Sequence, residues 1–384
     1  MPRVLHLITS FNRGGIEIWL LSMLREISRS QCEMDFCCKG SNVGPLAPFA
    51  DQLGAKVFHS PLGLNQFSFA QRLKRILIEG QYDILHNHLE AYSGLPVWVA
   101  SRLGIPVITS FHNTHFTPQT QLTRFPLVSQ LRSAYAFTSI SYALGHSDLV
   151  TGCSQGVIES LNSHGTKLEK SSRVLYYGVN LPQLSIPEEC ASFRESFGWP
   201  RDTPVVLYVG RLIEQKNHIG LLSVFQLVLE QIPTAKLLLV GEGSLRSLIE
   251  NTIAKRGLSD AVRLLGLRDD VPSVMSKCDV FLFPSLHEGF GLVAIEANAA
   301  NLPVVGAKIP GLTEAVRDGE TAILHNVEDV PGMAKSVIKL INDRQYSQEM
   351  ANAGRRWVKD KYSTQVSAKR LLEIYNDFAQ FTEA

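Results

Sequence analysis

The sequence predicts an α/β protein with two doubly wound parallel sheets. Two observations predict it: short β-branched or apolar runs alternate along the chain with longer segments of helical period, and a Pro-punctuated break near 179–204 divides that alternation into two series. A third agrees with them. The balance of 45% hydrophobic to 19% charged residues over 384 residues suits a globular chain with a large core, and the length suits two domains.

In the first series, strands are expected at 4–9, 33–38, 55–60, 82–88, 106–112, 149–154 and 172–178, with helices between most of them. The clearest helix follows the first strand, because Ile16, Trp19, Leu20, Met23, Leu24 and Ile27 fall on one face at spacings of three and four. The stretch Leu181 to Glu189, broken by Pro182 and Pro187, reads as an interdomain connector. Strands of the second series are expected at 204–210, 235–241, 262–266, 279–284, 303–307 and 321–325. From about 329 the pattern is helical only, and Val366, Leu371, Leu372, Ile374 and Tyr375 form an apolar stripe that must pack across something already built. Ligands of such sheets bind outside the carboxyl ends of the strands, so the expected site is an interdomain cleft.

Composition excludes several classes. Thirty-seven Lys and Arg against 36 Asp and Glu give a net charge of +1, so bulk electrostatics do not point to nucleic acid. No apolar run approaches the ~20 residues that span a bilayer. The N-terminus runs directly into a buried-strand pattern, so a signal peptide is not expected. Six scattered cysteines without a C-x-x-C pair fit reduced thiols and a cytoplasmic location.

The chemistry is expected at two strand ends of the second series. Arg211 and Lys216 leave strand 204–210 five positions apart, a fork and a point charge that together suit a diphosphate; two solvated loop cations are the plainer alternative. The run from Pro284 to Glu296 reads as strand end, Gly-rich turn and helix start. Gly289 and Gly291 let backbone approach a ligand, and the free N–H groups of the helix start form an anion site. Glu296 could accept hydrogen bonds from a ribose diol and Glu288 from a second sugar; the plainer alternative is a helix whose early Glu complements its dipole. After the first strand, Gly14-Gly15 permits a tight turn before the amphipathic helix whose N–H groups face the expected cleft as candidate donor contacts; an ordinary loop is the plainer alternative. NAD is not expected, since Gly241-Glu242-Gly243 is followed by Arg246 where a dinucleotide motif needs its third glycine.

Taken together, Gly14-Gly15, Arg211 with Lys216, and Glu288 through Glu296 resemble the retaining nucleotide-sugar glycosyltransferases of the GT-B fold, glycosyltransferase family 4 (glycosyl transferases group 1), over essentially the whole chain. The resemblance implies an N-terminal acceptor-side Rossmann-like domain at 1–182, a donor-binding one at 183–364, and a C-terminal helix at 365–384 that returns to the first domain. It implies that Arg211 and Lys216 hold the donor diphosphate and Glu296 the ribose. Glu288 and the backbone of Phe290, Gly291 and Leu292 would hold the transferred sugar and phosphates, and His112, ending strand 106–112, would lie near the donor sugar. No cofactor and no metal are implied. The donor is expected to be a nucleoside diphosphate sugar, a UDP-sugar by the family's habits, and the acceptor a glycan, a lipid-linked or a small molecule. The departing diphosphate would take the acceptor proton on the face from which it leaves. The chain departs from the family at Tyr176-Tyr177-Gly178-Val179-Asn180, where Asn-Gly-Val-Asp is usual.

Rival signals remain. Gly152-Cys153-Ser154-Gln155-Gly156 matches a hydrolase nucleophile elbow, although Ser154 is more simply a helix N-cap. His86 and His88 at strand spacing, with His112 and His115, make a zinc site conceivable without matching a strong signature. An epimerase of the same architecture and a nucleotide-sugar-binding protein without transfer are further alternatives. The first 180 residues carry 15 Lys and Arg against 11 Asp and Glu, with Arg72, Lys74 and Arg75 on one helix. Peripheral contact with the inner face of a membrane is therefore a further expectation, against a merely solvated face.

Overall fold

A computed structural model of the chain describes residues 1–63, 65–114, 126–163 and 171–379. Strands β1 (Arg3–Ile8), β2 (Glu33–Cys38), β3 (Val57–His59), β4 (Ile84–Asn87), β5 (Val107–Phe111), β6 (Leu149–Gly152) and β7 (Ser171–Val174) form one parallel sheet, ordered β3-β2-β1-β4-β5-β6-β7. Strands β8 (Val205–Val209), β9 (Lys236–Val240), β10 (Val262–Gly266), β11 (Val280–Phe283), β12 (Val304–Ala307) and β13 (Ala322–His325) form a second, ordered β10-β9-β8-β11-β12-β13. Every expected strand is present, most of them shortened; the segment expected at 172–178 leaves the sheet after Val174.

Strand position follows hydropathy. Continuous apolar runs such as Val205-Val206-Leu207 and Val280-Phe281-Leu282-Phe283 occupy interior strands and are fully buried, as expected where helices cover both faces. Ser171-Ser172-Arg173, which could not be buried on both faces, lies on the edge strand β7 and is exposed. In each sheet the winding reverses once, between β1 and β4 and between β8 and β11. Such switch points leave a crevice at the strands' carboxyl ends.

The chain divides into two compact units. One holds residues 1–178 with the C-terminal helix Thr364–Ala379, and the other holds Val179–Ser363; the resemblance placed these divisions at 182/183 and 364/365. The C-terminal helix packs on helix Gly15–Glu26 and on β4, within the first unit. Leu371, Ile374 and Tyr375 of its stripe are buried, Val366 and Leu372 partly so, and Ser367 accepts a 2.8 Å hydrogen bond from Trp19 Nε1. All six cysteines are free thiols.

Candidate active site

In the second unit, the loops after β8 and β11 meet at the switch point. Asn217 adopts the left-handed conformation (φ 52°), its side chain caps helix His218–Gln231 by accepting from Gly220 N, and its Nδ2 donates 3.1 Å to Pro284 O. Gln215 Nε2 donates 2.8 Å to His287 O, and Leu286 N donates 2.9 Å to Gln215 O. These bonds fix one loop on the other. Gly241-Glu242-Gly243, which fails as a dinucleotide motif, supports the first loop from behind: Leu212 N donates to Glu242 O and Leu245 N to Leu212 O, each at 2.9 Å.

Within this frame Lys216 Nζ lies 2.5 Å from Glu288 Oε1, both side chains about one-tenth exposed, and the ammonium stands 5.2 Å from the centre of the Phe283 ring. The sequence pattern gave these two residues separate ligands, whereas the structure pairs them. A buried cation and anion are tolerable when matched, and either one alone carries a large desolvation cost. Arg211, by contrast, is exposed, and no side-chain hydrogen bond or ion pair holds its guanidinium among the described residues. Tyr208, which the sequence pattern did not single out, is fully buried on β8 with an unpartnered hydroxyl. Burial pushes its ionisation well up, Glu288 adds to the rise and Arg211 opposes it, so the phenol shares the field of these groups.

Helix Leu292–Ala299 begins where Gly291 takes φ +77°, a left-handed cap that a side chain resists. Phe290 is buried with its ring edge-on to Tyr362 at 5.3 Å, which anchors the turn. Glu296 is partly exposed, and no side-chain partner bonds it among the described residues. Burial pushes this carboxyl up to about 7. An unpartnered carboxylate is suited to accept from neutral hydroxyls. Gly311, also missed in the sequence, packs on this turn: a Cβ there would lie 2.5 Å from Glu288 O and 2.8 Å from Gly289 C. The Pro310-Gly311 dipeptide was its only visible signal.

In the first unit, Gly14 is the N-cap of helix Gly15–Glu26, and Gly15 is its exposed first residue. His112 follows β5 directly and is 8% exposed; its Nδ1 is hydrogen-bonded to the Tyr177 hydroxyl, and its Nε2 is buried without a partner. Tyr177 belongs to the Tyr-Tyr-Gly-Val-Asn departure, so that departure bears on the histidine. Burial holds His112 down to about 3 and His6 likewise, and keeps His86 and His88 well below the usual imidazole range. All four are neutral at pH 7.

His6, His86 and His88 each bring a ring nitrogen within 4.8 Å of the others. Their packing opposes zinc. His86 and His88 stack at 4.1 Å with 30° between planes, and lone pairs lying in stacked ring planes do not converge on one ion. The other suggested ligand, His115, lies outside the described residues. Ser154 is fully buried and caps helix Gln155–Asn162, accepting 3.1 Å from Val157 N, which is the N-cap reading and not the nucleophile elbow. Arg72 is bound to Ser60 Oγ and Pro61 O, leaving Lys74 and Arg75 as the exposed cations of that helix.

Two family models match the chain, Glycosyltransferase Family 4 over residues 13–183 and Glycosyl transferases group 1 over residues 191–357. The chain is 24% identical over 313 residues to N-acetyl-alpha-D-glucosaminyl L-malate synthase of Bacillus anthracis, covering 81% of this chain and 78% of that protein. It is 29% identical over 320 residues to phosphatidyl-myo-inositol mannosyltransferase of Mycobacterium leprae (strain TN), covering 82% and 79%. Among solved structures, Anabaena HepE in complex with UDP and glucose superposes with a TM-score of 0.83 at 19% identity, covering 98% of this chain and all of that one.

Proposed function

Since the chain is a GT-B glycosyltransferase of the family 4 type, we propose that it transfers a sugar, with retention at the anomeric carbon and without a metal, from a UDP-sugar to a glycan, lipid-linked or small-molecule acceptor. One observation carries this reading: at the β8/β11 switch point an unpaired exposed arginine, a buried Lys216–Glu288 pair and an unpartnered Glu296 surround a helix start. Arg211 supplies the fork for diphosphate oxygens, and Lys216 gains further anionic partners when the diphosphate arrives. Glu296 accepts from the ribose hydroxyls, and Glu288, with the backbone of Phe290, Gly291 and Leu292, orients the transferred sugar and the phosphates.

In the reaction the bond from the anomeric carbon to the diphosphate oxygen breaks, the acceptor oxygen bonds the same carbon on the same face, and the acceptor proton passes to the departing diphosphate. Arg211, Lys216 and the helix N-terminus at Gly291 stabilise the charge that develops there. Gly14 and Gly15 offer backbone N–H groups to the donor at the start of helix Gly15–Glu26, and His112 keeps the place near the donor sugar that the resemblance gives it. A lipid-linked acceptor at the inner face of a membrane is favoured by the exposed Phe67, Trp98, Leu131 and Phe137 of the first unit. No helix among the described residues is long and apolar enough to cross a membrane.

A thermal-shift screen of UDP, GDP and ADP and their sugars, with and without EDTA and anionic vesicles, tests the whole reading, because a ligand at one hundred times its Kd adds about 2.7 kcal/mol. Selective stabilisation by UDP that survives EDTA is expected. No response to any nucleotide would overturn it.

A further inference from the structure

Six buried groups of the first unit form one hydrogen-bonded wire. Thr151 Oγ1 lies 2.5 Å from Ser110 Oγ, which lies 2.7 Å from His86 Nε2. His86 Nδ1 is 2.7 Å from the Tyr375 hydroxyl, which is 3.1 Å from His6 Nε2, and His6 Nδ1 is 3.1 Å from His88 Nε2. The wire crosses β6, β5, β4 and β1 and is completed by Tyr375 on the C-terminal helix. It ends at His88 Nδ1, which is buried and has no partner. His88 is 6% exposed and the other members 2% or less.

Neutral imidazoles carry one N–H each and hydroxyls one O–H, so only two proton arrangements are self-consistent. If Tyr375 donates to His86 Nδ1, then His86 donates to Ser110 and Ser110 to Thr151. The Thr151 hydroxyl hydrogen is then stranded in the dry interior, and His88 ends with a bare Nδ1. If Tyr375 donates instead to His6 Nε2, then Thr151 donates to Ser110, Ser110 to His86, His86 to the Tyr375 oxygen and His6 to His88. Every hydroxyl hydrogen is then placed, and one N–H remains, on His88 Nδ1. The first arrangement leaves two groups unsatisfied and the second leaves one; stranding a buried polar group costs about 1–3 kcal/mol. The second prevails. The same accounting applies to His112. The buried Tyr177 hydroxyl has His112 Nδ1 as its hydrogen-bond partner, so it donates there, and the ring hydrogen sits on the unpartnered Nε2.

The rings of His88 and His112 stack at 5.3 Å with 14° between planes, at the carboxyl ends of adjacent strands. We propose that His88 is a second ligand-facing imidazole, that His88 Nδ1–H and His112 Nε2–H together donate to neighbouring hydroxyl oxygens of a sugar, and that Tyr375 is the positioning residue that sets the His88 tautomer. The pair is uncharged, so it matches uncharged oxygens; an anion buried against it would lack a counter-charge. This assignment rests on the proposed sugar transfer.

Nitrogen-15 spectra of the histidine rings in the full-length protein at neutral pH read the tautomers without any ligand. His88 is expected to carry its hydrogen on Nδ1. Ser110→Ala removes the partner of His86 Nε2, which leaves the two arrangements with equal numbers of unsatisfied groups, and should let an Nε2–H population appear at His88. Tyr375→Phe should raise KM for a turned-over UDP-sugar roughly threefold to tenfold, the worth of one neutral hydrogen bond, and leave the Kd of UDP alone unchanged. An Nε2–H tautomer in the parent protein, or a His88 signal indifferent to Ser110→Ala, overturns the wire while sugar transfer stands. If no nucleotide sugar binds, the transfer reading and the sugar assigned to this pair both fall, whatever the tautomer.

Discussion

Replacing Glu296 by Gln should stabilise the unliganded protein above pH 7 and remove most of its affinity for a nucleoside diphosphate. The folded-state pKa of about 7 lies above the ordinary 4.5, so the folded chain holds a proton that the unfolded chain releases. Stability is therefore lost as pH rises from about 4.5 through 7, and it stays lost above. At 1.36 kcal/mol per pH unit the rise is worth about 3 kcal/mol, and the partial exposure of the residue reduces this to on the order of 2 kcal/mol. Gln avoids that cost, so urea midpoints at pH 8 should favour Glu296→Gln by this amount, and the advantage should shrink to within about 1 kcal/mol at pH 5. UDP should reverse the order at pH 8, because charge-assisted hydrogen bonds to the ribose are worth about 1.5–3 kcal/mol each and stabilise only the parent. A variant less stable than the parent at pH 8, or one that binds UDP as tightly by calorimetry, would refute the reasoning.

Arg211→Ala should leave the melting curve within about 0.5 kcal/mol, since the side chain is exposed and unpaired, yet lower kcat/KM by about 2–4 kcal/mol in transition-state terms; unchanged kcat/KM would remove Arg211 from the site. Lys216→Met and Glu288→Gln should each destabilise by about 3–5 kcal/mol by stranding a buried charge, and the double variant should cost clearly less than their sum; additive chemical denaturation results would mean that the pair is not coupled. Gly311→Ala should cost about 1–3 kcal/mol by pushing on the Glu288–Gly289 backbone and should weaken donor use more than UDP binding; full activity in steady-state assays would show that the turn can yield.

The strands were legible because interior parallel strands are short, uninterrupted and apolar, a pattern a helix segment of equal length rarely bounds with glycine and proline. The switch-point loops stood out because cations, a glycine pair and two carboxylates, Arg211, Lys216, Gly289, Gly291, Glu288 and Glu296, follow directly on fully apolar strands. Pairings across distant sequence were not. Nothing in the spacing of Lys216 and Glu288 says that they neutralise one another, since the contact depends on three bonds between loops. Tyr208 looked like one more β-strand aromatic, and Gly311 like one more turn glycine. Tyr177 was visible only as a departure from a familiar motif, and its bond to His112 required the fold to bring residue 177 back to the end of β5.

The two sheets share one winding but hold different chemistry at their switch points. At β8 and β11 the polar groups are charged, and each charge is exposed, paired or poised near neutral pH: Arg211, Lys216 with Glu288, and Glu296. At β1 and β4 the polar groups are neutral, and burial makes them so, which removes any electrostatic reason for them to attract a diphosphate. What such groups offer is direction, because a buried N–H that has exchanged water for nothing gains most from an oxygen delivered in line. The C-terminal helix contributes a single hydroxyl to this row of groups. The Tyr375 hydroxyl is the link between His86 and His6, so the helix that covers β4 also fixes which way a row of protons points.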